Sequence, residues 1–194
     1  GTQTSLSLPS TRVDAFNITL AEELSRNGRR TGLTFAPEGG SERMRKVINK
    51  MVTEEDLIRT VTAAYSAGWR QVKLYFMCGL PTETDEDVLQ IADLAKKVIA
   101  TGREVTGSRD IRCTVSIGGF VPKPHTPFQW FGQNAPDELR RKIHLLRDDL
   151  RKTAAQVKWH DPEASFAEGI ASRGDRRIGR VIERVWRAGG TFQE

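Results

Sequence analysis

GLTFAPEGGSERMRKVINK, residues 32–50, and VKLYFMCGLPTETDED, residues 72–87, decide how this chain folds. In each, an apolar strand-like run ends in a turn of Pro and Gly, and a helix follows at once. Repeated strand–turn–helix units build a parallel sheet, and such sheets gather ligands at the carboxyl ends of their strands. Working outward, four runs read as strands: residues 4–8, 31–36, 71–77 and 112–120. The last three carry β-branched and aromatic residues.

Helical stretches separate the strands. Residues 14–27 form one, stopped by Gly28, and residues 40–49 a short one. Thr53 opens a third with Asp56 as its capping partner, and Leu57, Val61, Ala64 and Tyr65 share its apolar face. Thr84 opens a fourth with Asp87, and Val88, Ile91, Ala92, Ala95, Val98 and Ile99 follow helical spacing. Pro136 sits at a first helical turn before Asp137 and Glu138. From there Leu139, Ile143, Leu146, Leu150 and Val157 predict a long helix to about residue 158. Strands alternating with helices predict an α/β fold with parallel strands. Four strands are too few for a full barrel, and the chain begins almost inside one. The expectation is therefore a partial, incomplete TIM-like (β/α) barrel made of its C-terminal strands. It occupies residues 1–158, and a small C-terminal helical appendage occupies 159–194. An unpaired strand at residues 4–8 would favour self-association through that exposed edge.

The chain has 194 residues, 38% apolar and 28% charged, which is a globular rather than a disordered composition. It shows neither a bilayer-length apolar run nor a signal peptide, so no membrane partner is expected and the default compartment is cytoplasmic. Cys78 and Cys113 belong to no CxxC-type cluster, and His125, His144 and His160 share no ligand spacing. Two reduced, packed thiols are expected. The net charge of +5 owes much to late arginines, among them Arg173, Arg176, Arg177, Arg180, Arg184 and Arg187. Such a face can bind RNA phosphates or stay solvated, because Asp175 and Glu183 interleave. Ile178, Val181, Ile182 and Val185 make an apolar face in the same stretch.

Four turns are candidate sites. Ser7, Ser10, Thr11 and Arg12 cluster after the first strand, where hydroxyls suit a ribose or carboxylate and Arg12 a carboxylate; the same residues would also start a helix. In FAPEGGSERMR, Gly39 and Gly40 permit close backbone approach, Ser41 is a natural N-cap, and Glu38 could accept both hydroxyls of a ribose. Lys50 could return to meet a ligand carboxylate. An ordinary β-to-α turn with a surface Glu would read the same way. CGLPTETDED makes a tight corner, and residues 72–77 before it could wall an adenine. GGFVPKPHTPFQWF, residues 118–131, is a stiff loop of three prolines and four aromatics. It could cover a ligand or seal the sheet, and His125 in it reads as structural. No phosphate-binding Gly-rich loop and no nucleophile elbow is present.

In this order and spacing the motifs resemble the radical S-adenosylmethionine (SAM) superfamily. Glu38 with Asn49-Lys50, Gly79-Leu80-Pro81 with Thr82-Glu83-Thr84, and the Pro-rich segment 120–130 match its later strands. APEGGSERMRKVINK, GLPTET and FVPKPHTPFQW, with the late RGDRR at residues 173–177, are most similar to B12-binding-type members. The resemblance implies a (β/α)6 partial barrel, a [4Fe-4S] cluster, and SAM cleaved reductively to a 5′-deoxyadenosyl radical. The three-cysteine motif that holds the cluster is absent, so this piece would supply part of the SAM and substrate pocket and be inactive alone. A preceding cobalamin-type domain is implied as well. By role, Glu38 would hold the ribose hydroxyls and Lys50 or Arg12 the methionyl carboxylate. Ser7 and Ser41 would add hydrogen bonds, Leu80 and Val121 would sandwich adenine largely through main chain, and Tyr75 stands where some relatives carry an acidic contact. The alternative is an RNA-associated α/β module using its Arg-rich C-terminal helices.

Overall fold

The computed structural model describes residues 33–190. Strands β1 (Leu33–Glu38), β2 (Gln71–Cys78), β3 (Arg112–Gly119) and β4 (Ala155–Trp159) form one parallel sheet in the order β1-β2-β3-β4. The helices are α1 (Glu42–Val47), α2 (Glu54–Ser66), α3 (Asp85–Thr106), α4 (Pro136–Leu150), α5 (Pro162–Arg173) and α6 (Ile178–Arg187). Helix α2 packs on α3, α3 on α4 and α4 on α5. Strand order that never reverses, with consecutive helices side by side, is the arrangement of a curling barrel wall; a doubly wound sheet would change direction at a switch point. The α/β partial-barrel expectation holds. The strand at residues 4–8 and the helix at 14–27 lie outside the described residues.

Strand alternation divides the sheet into two faces. Leu33, Phe35, Val72, Leu74, Phe76, Cys78, Cys113, Val115 and Ile117 are buried against Leu57, Val61, Val88, Ile91, Ala95, Val98, Ile143 and Leu146 of the helices. The opposite face carries Thr34, Lys73, Thr114 and Gln156 at one level and Tyr75, Ser116 and Lys158 at the next. Such layering is what the inward face of a barrel requires, and here it is polar.

Local sequence sets most of the boundaries. Thr53 and Thr84 both close capping boxes, with Asp56 and Asp87. Ser41 caps α1, its hydroxyl accepting from Met44 N–H at 2.9 Å. Strand β1 runs further than the expected 31–36, through Pro37 to Glu38, because a bulge between Phe35 and Glu38 absorbs the residue that cannot donate to the ladder. The long helix to residue 158 is corrected: α4 stops at Leu150 and residues 155–159 are β4. Thr153 makes the break. Its hydroxyl donates to the Leu150 carbonyl at 2.7 Å and accepts from Ala155 N–H at 3.1 Å, which ends the helix and starts the strand. Val157 does pack on the core, but from a strand.

Helix α5 is held to the sheet. Gln133 Nε2 donates to the Ser165 carbonyl at 2.7 Å, and Arg140 of α4 pairs with Glu163. Helix α6 buries none of its residues; Val181, Ile182, Val185 and Trp186 are exposed.

Polar locks brace the carboxyl end. Arg45 is buried and donates to three carbonyls: Val52 at 2.7 Å, Gly40 at 2.9 Å and Gly39 at 3.2 Å. Glu83 and Lys142 form an ion pair at 2.8 Å with side chains only 3% and 6% exposed. The same Glu83 oxygen accepts from Gly79 N–H at 2.7 Å, which ties the Gly-Leu-Pro corner to α4. Burial raises the Glu83 carboxyl above its ordinary value, and Lys142 and the Gly79 N–H only partly oppose that.

Two outcomes test this packing. The Tyr65 hydroxyl is buried with no hydrogen-bond partner among the described residues. Tyr65→Phe should therefore raise stability by about 1 kcal/mol in denaturant titration, whereas loss of stability would mean the hydroxyl is bonded. Lys142→Met should cost about 3–5 kcal/mol by leaving a buried carboxylate alone, and adding Glu83→Gln should recover much of it. A carboxyl whose folded value is raised contributes full stability below its unfolded value of 4.5 and loses it as pH rises through the folded value. The single variant should accordingly be most stable in acid. A pH-independent loss of the same size would exclude the mechanism.

Candidate functional site

The turn after β1 is built around an unusual backbone. Gly39 N–H donates to the Pro37 carbonyl at 2.9 Å, so Glu38 is the central residue of a three-residue turn, and its φ is 68°. That is the strained form of the γ-turn, rarely held by a residue with a side chain. Together with the bulge it swings the Glu38 carboxylate out of the strand pattern. Lys50 Nζ pairs with it at 3.3 Å, both side chains about a quarter to a third exposed. Asn49 next to Lys50 is also left-handed (φ 56°), and Lys50 N–H donates to the Arg45 carbonyl at 2.7 Å. The turn and the end of α1 are thus fixed by the same buried arginine, and Glu38 and Lys50 meet as a preset pair.

Gly40 is demanded by packing. A Cβ there would lie 2.3 Å from the Asp87 carbonyl oxygen. The turn can press this close because Asp87 is a shared acceptor. It takes Ser41 Oγ at 2.6 Å, the Thr84 N–H at 2.8 Å and the Arg43 guanidinium. Burial alone would raise the Asp87 carboxyl; the bonds from Arg43, Ser41 and Thr84 win and hold it well below 3.8. Arg43 also donates to the Thr82 carbonyl at 2.6 Å and pins Thr82, another left-handed residue, at φ 66°.

The β2 and β3 exits meet beside this turn. Phe120 N–H donates to the Cys78 carbonyl at 2.8 Å, which places Val121 next to the Gly79–Leu80 corner. Met44, Leu80 and Phe120 form a small apolar cluster there, with Met77, Val47, Ile48 and Phe128 against it. Phe128 in turn makes edge contacts with Phe120 and Phe131, at centroid distances of 6.0 and 5.5 Å, so the Pro-rich loop is an ordered cover.

Of the residues singled out from sequence, the fold brings Glu38, Lys50, Tyr75, Leu80 and Val121 to the carboxyl end of the sheet. Ser41 is there too, but its hydroxyl is engaged with Met44 and Asp87. The Leu80 side chain is buried in the apolar cluster, leaving main chain as its contribution. Ser7 and Arg12 lie outside the described residues. His125 is exposed in the loop, in a left-handed turn at φ 61°. Sequence reading missed Arg43, Arg45, Glu83 and Lys142 as a bracing set; nothing but charge marked them, and charge marks many surface residues equally.

Cys78 and Cys113 are free and buried, and burial raises both thiols, that of Cys113 up to about 12. Such thiols are neither nucleophiles nor ready metal ligands. Among the described residues no cluster of His, Cys, Asp and Glu could hold a metal ion. An iron–sulfur cluster therefore has no ligand set in this region. The Glu38–Lys50 pair, the exits of β2 and β3 and the apolar cluster of Met44, Leu80 and Phe120 all belong to the carboxyl end of the sheet. No helix among the described residues is long and apolar enough to cross a membrane.

Residues 1–95 match the radical SAM superfamily. The chain is 34% identical over 165 residues to an uncharacterised protein of Methanocaldococcus jannaschii, covering 85% of this chain and 35% of that protein. Its fold superposes on a radical SAM methyltransferase from Sphaerobacter thermophilus with a TM-score of 0.50 and 17% identity, over 75% of this chain and 38% of the other. At that identity the likeness is one of fold. This chain spans little more than a third of either protein's length. The four-stranded parallel sheet matches a partial (β/α) barrel of the radical SAM type in fold, and residues 1–95, just under half of the chain, match the superfamily's family model.

Proposed function

We propose that this chain forms part of the SAM and substrate pocket of a radical SAM enzyme. The observation that supports the reading is Glu38, strained at a strand's carboxyl end and paired with Lys50. Bound SAM, with a [4Fe-4S] cluster held elsewhere in the enzyme, supplies the one-electron chemistry. The residues here bind and orient. Glu38 accepts the two ribose hydroxyls, and Lys50, released from Glu38 in part, faces the methionyl carboxylate. The main chain at Leu80 and Val121 flanks the adenine, and the apolar cluster below keeps water from it. Arg12 and Ser7 complete the set in the proposal, with Ser41 acting through the turn it caps. Assignment to the B12-binding type, with cobalamin, belongs to the proposal and rests on the motifs APEGGSERMRKVINK, GLPTET and FVPKPHTPFQW.

A second reading, RNA as partner, is favoured by one feature. Arg176, Arg180 and Arg184 recur every fourth residue along α6 and its approach, and no carboxylate pairs with them among the described residues.

Two measurements on the intact protein test these readings. Glu38→Ala should weaken SAM binding by calorimetry roughly 10- to 100-fold, the value of charge-assisted bonds to a diol; unchanged affinity rejects the role. For RNA, affinity should fall steeply with salt and drop when Arg176, Arg177 and Arg180 are replaced together. RNA binding insensitive to both would remove the second reading.

A further inference from the structure

The inward face of the sheet carries a row of polar side chains with nothing to bond. Strand register places Tyr75 of β2, Ser116 of β3 and Lys158 of β4 side by side. Neighbouring strands lie about 4.8 Å apart, and residues in one row share a face. Theirs is opposite the face on which Leu74, Phe76, Val115 and Ile117 meet the helices. Ser116 is only 5% exposed, yet its hydroxyl has no hydrogen-bond partner among the described residues. The Tyr75 hydroxyl and the Lys158 ammonium have none there either. A hydroxyl withdrawn from water and left unbonded is unfavourable, so the row is incomplete without a ligand.

Tyr75 leans over β3. A Cβ on Gly118 would lie 2.4 Å from its hydroxyl oxygen, so the phenol fills space that only a glycine leaves open. Gly118 is the next inward position after Ser116 on the same strand. The phenol oxygen is thereby carried from β2 across to the strand of Ser116. Lys158 flanks Ser116 from the other side, on a stem long enough to cross one strand spacing. Two hydroxyls and an ammonium thus share one stretch of β3. Charge on this face has one sign: the inward positions of β2, β3 and β4 include Lys73 and Lys158 and no carboxylate. Neither lysine has an ion-pair partner among the described residues, and Glu38, at the end of β1, is held by Lys50. A lysine on an edge strand also discourages further strand pairing. That role calls for no neighbouring hydroxyls and leaves Ser116 and Tyr75 unexplained.

We propose that Lys158, Ser116 and Tyr75 form a subsite for an oxyanion, a carboxylate or phosphate carried by the substrate, on the inner wall of the barrel. The reading rests on the function proposed above and concerns the substrate rather than SAM, whose carboxylate falls to Lys50. Lys158 supplies the charge, and Ser116 and Tyr75 donate to the anion's oxygens. Lys73, one row toward the amino end, adds to the positive field. An anion held there leaves the rest of the substrate to extend along the wall toward the carboxyl end.

The test uses the intact protein labelled with 3-fluorotyrosine, in which Tyr75→Phe identifies the Tyr75 fluorine resonance. Sodium phosphate and sodium acetate are titrated separately at constant pH, against sodium chloride of equal ionic strength. A saturable shift of that resonance with phosphate or acetate, absent with chloride, is expected. The stronger response tells a phosphorylated substrate from a carboxylate one. Lys158→Met should weaken the binding about 10- to 100-fold, the worth of a charge-assisted bond. Lys158 is exposed, so this variant should fold as the wild type does. No saturable shift with either anion overturns the subsite, and so does an affinity in Lys158→Met within twofold of wild type. S-adenosylhomocysteine separates the two readings. Displacement of the anion by saturating S-adenosylhomocysteine would return the oxyanion to SAM and overturn a substrate subsite. Failure of S-adenosylhomocysteine to bind the wild type counts against the parent reading alone, and the anion titration still decides the subsite.

Discussion

The buried carboxylate of Asp87 is the contact on which the pocket end depends. It belongs to α3, yet it accepts from Ser41 and Arg43 of the β1 turn and from Thr84 of its own cap. One side chain therefore joins two consecutive strand–turn–helix units at the point where each must present backbone to a ligand. The charge is tolerated there because every bond comes from a donor already fixed by local structure: an N-cap serine, a capping-box threonine and an arginine in the first turn of α1. Because its folded-state pKa is depressed, its contribution is present above about 3.8 and is lost as pH falls toward the folded value. Acid therefore loosens this joint between the two units.

The two ends of the sheet are stabilised by different physics. Toward the middle, fully buried Val, Leu, Ile and Phe interdigitate between strands and helices, and shape alone fixes them. At the carboxyl end the chain turns through Glu38, Thr82 and His125 in left-handed backbone, conformations that a side chain disfavours. Such strain persists only where surroundings over-determine it. Arg43 on Thr82 and Arg45 on the Gly39–Gly40 turn supply that determination. The apolar core thus holds the strands in place, and two arginines, Arg45 buried and Arg43 half exposed, hold the turns that would meet a ligand.

This division also explains what could be read from the sequence. Caps are local, so Thr53 with Asp56 and Thr84 with Asp87 were legible and are present as capping boxes. The parallel strands β2 and β3 were legible because both faces of a wall favour β-branched and aromatic residues. Strand β4 was not: Leu146, Leu150 and Val157 can be joined by helical spacing, and only Thr153, bonding backward and forward, breaks the series. The strand is half exposed and short, so it lacks the apolar run that betrayed the others. Buried charge was illegible for a different reason. Arg45, Glu83 and Lys142 look like surface residues until the fold supplies their distant partners, and an arginine is given no sequence signature by three backbone carbonyls.

The same limit bears on where the barrel stops. Composition changes after residue 160, and that change suggested an appendage beginning at 159. Helix α5 nevertheless packs on α4 and, through Ser165 beside Leu139, on the helix-facing side of Gly119, and it reaches the loop after β3 through Glu168, whereas α6 buries nothing. Burial falls away between α5 and α6, at Gly174 and the arginine-rich turn after it. The residues α5 buries are small, Pro162, Ser165 and Gly169, because Gly119 and Gln133 approach it too closely for larger ones. Small and polar composition in α5 is therefore what this close packing calls for, and it reads from sequence as a loss of structure.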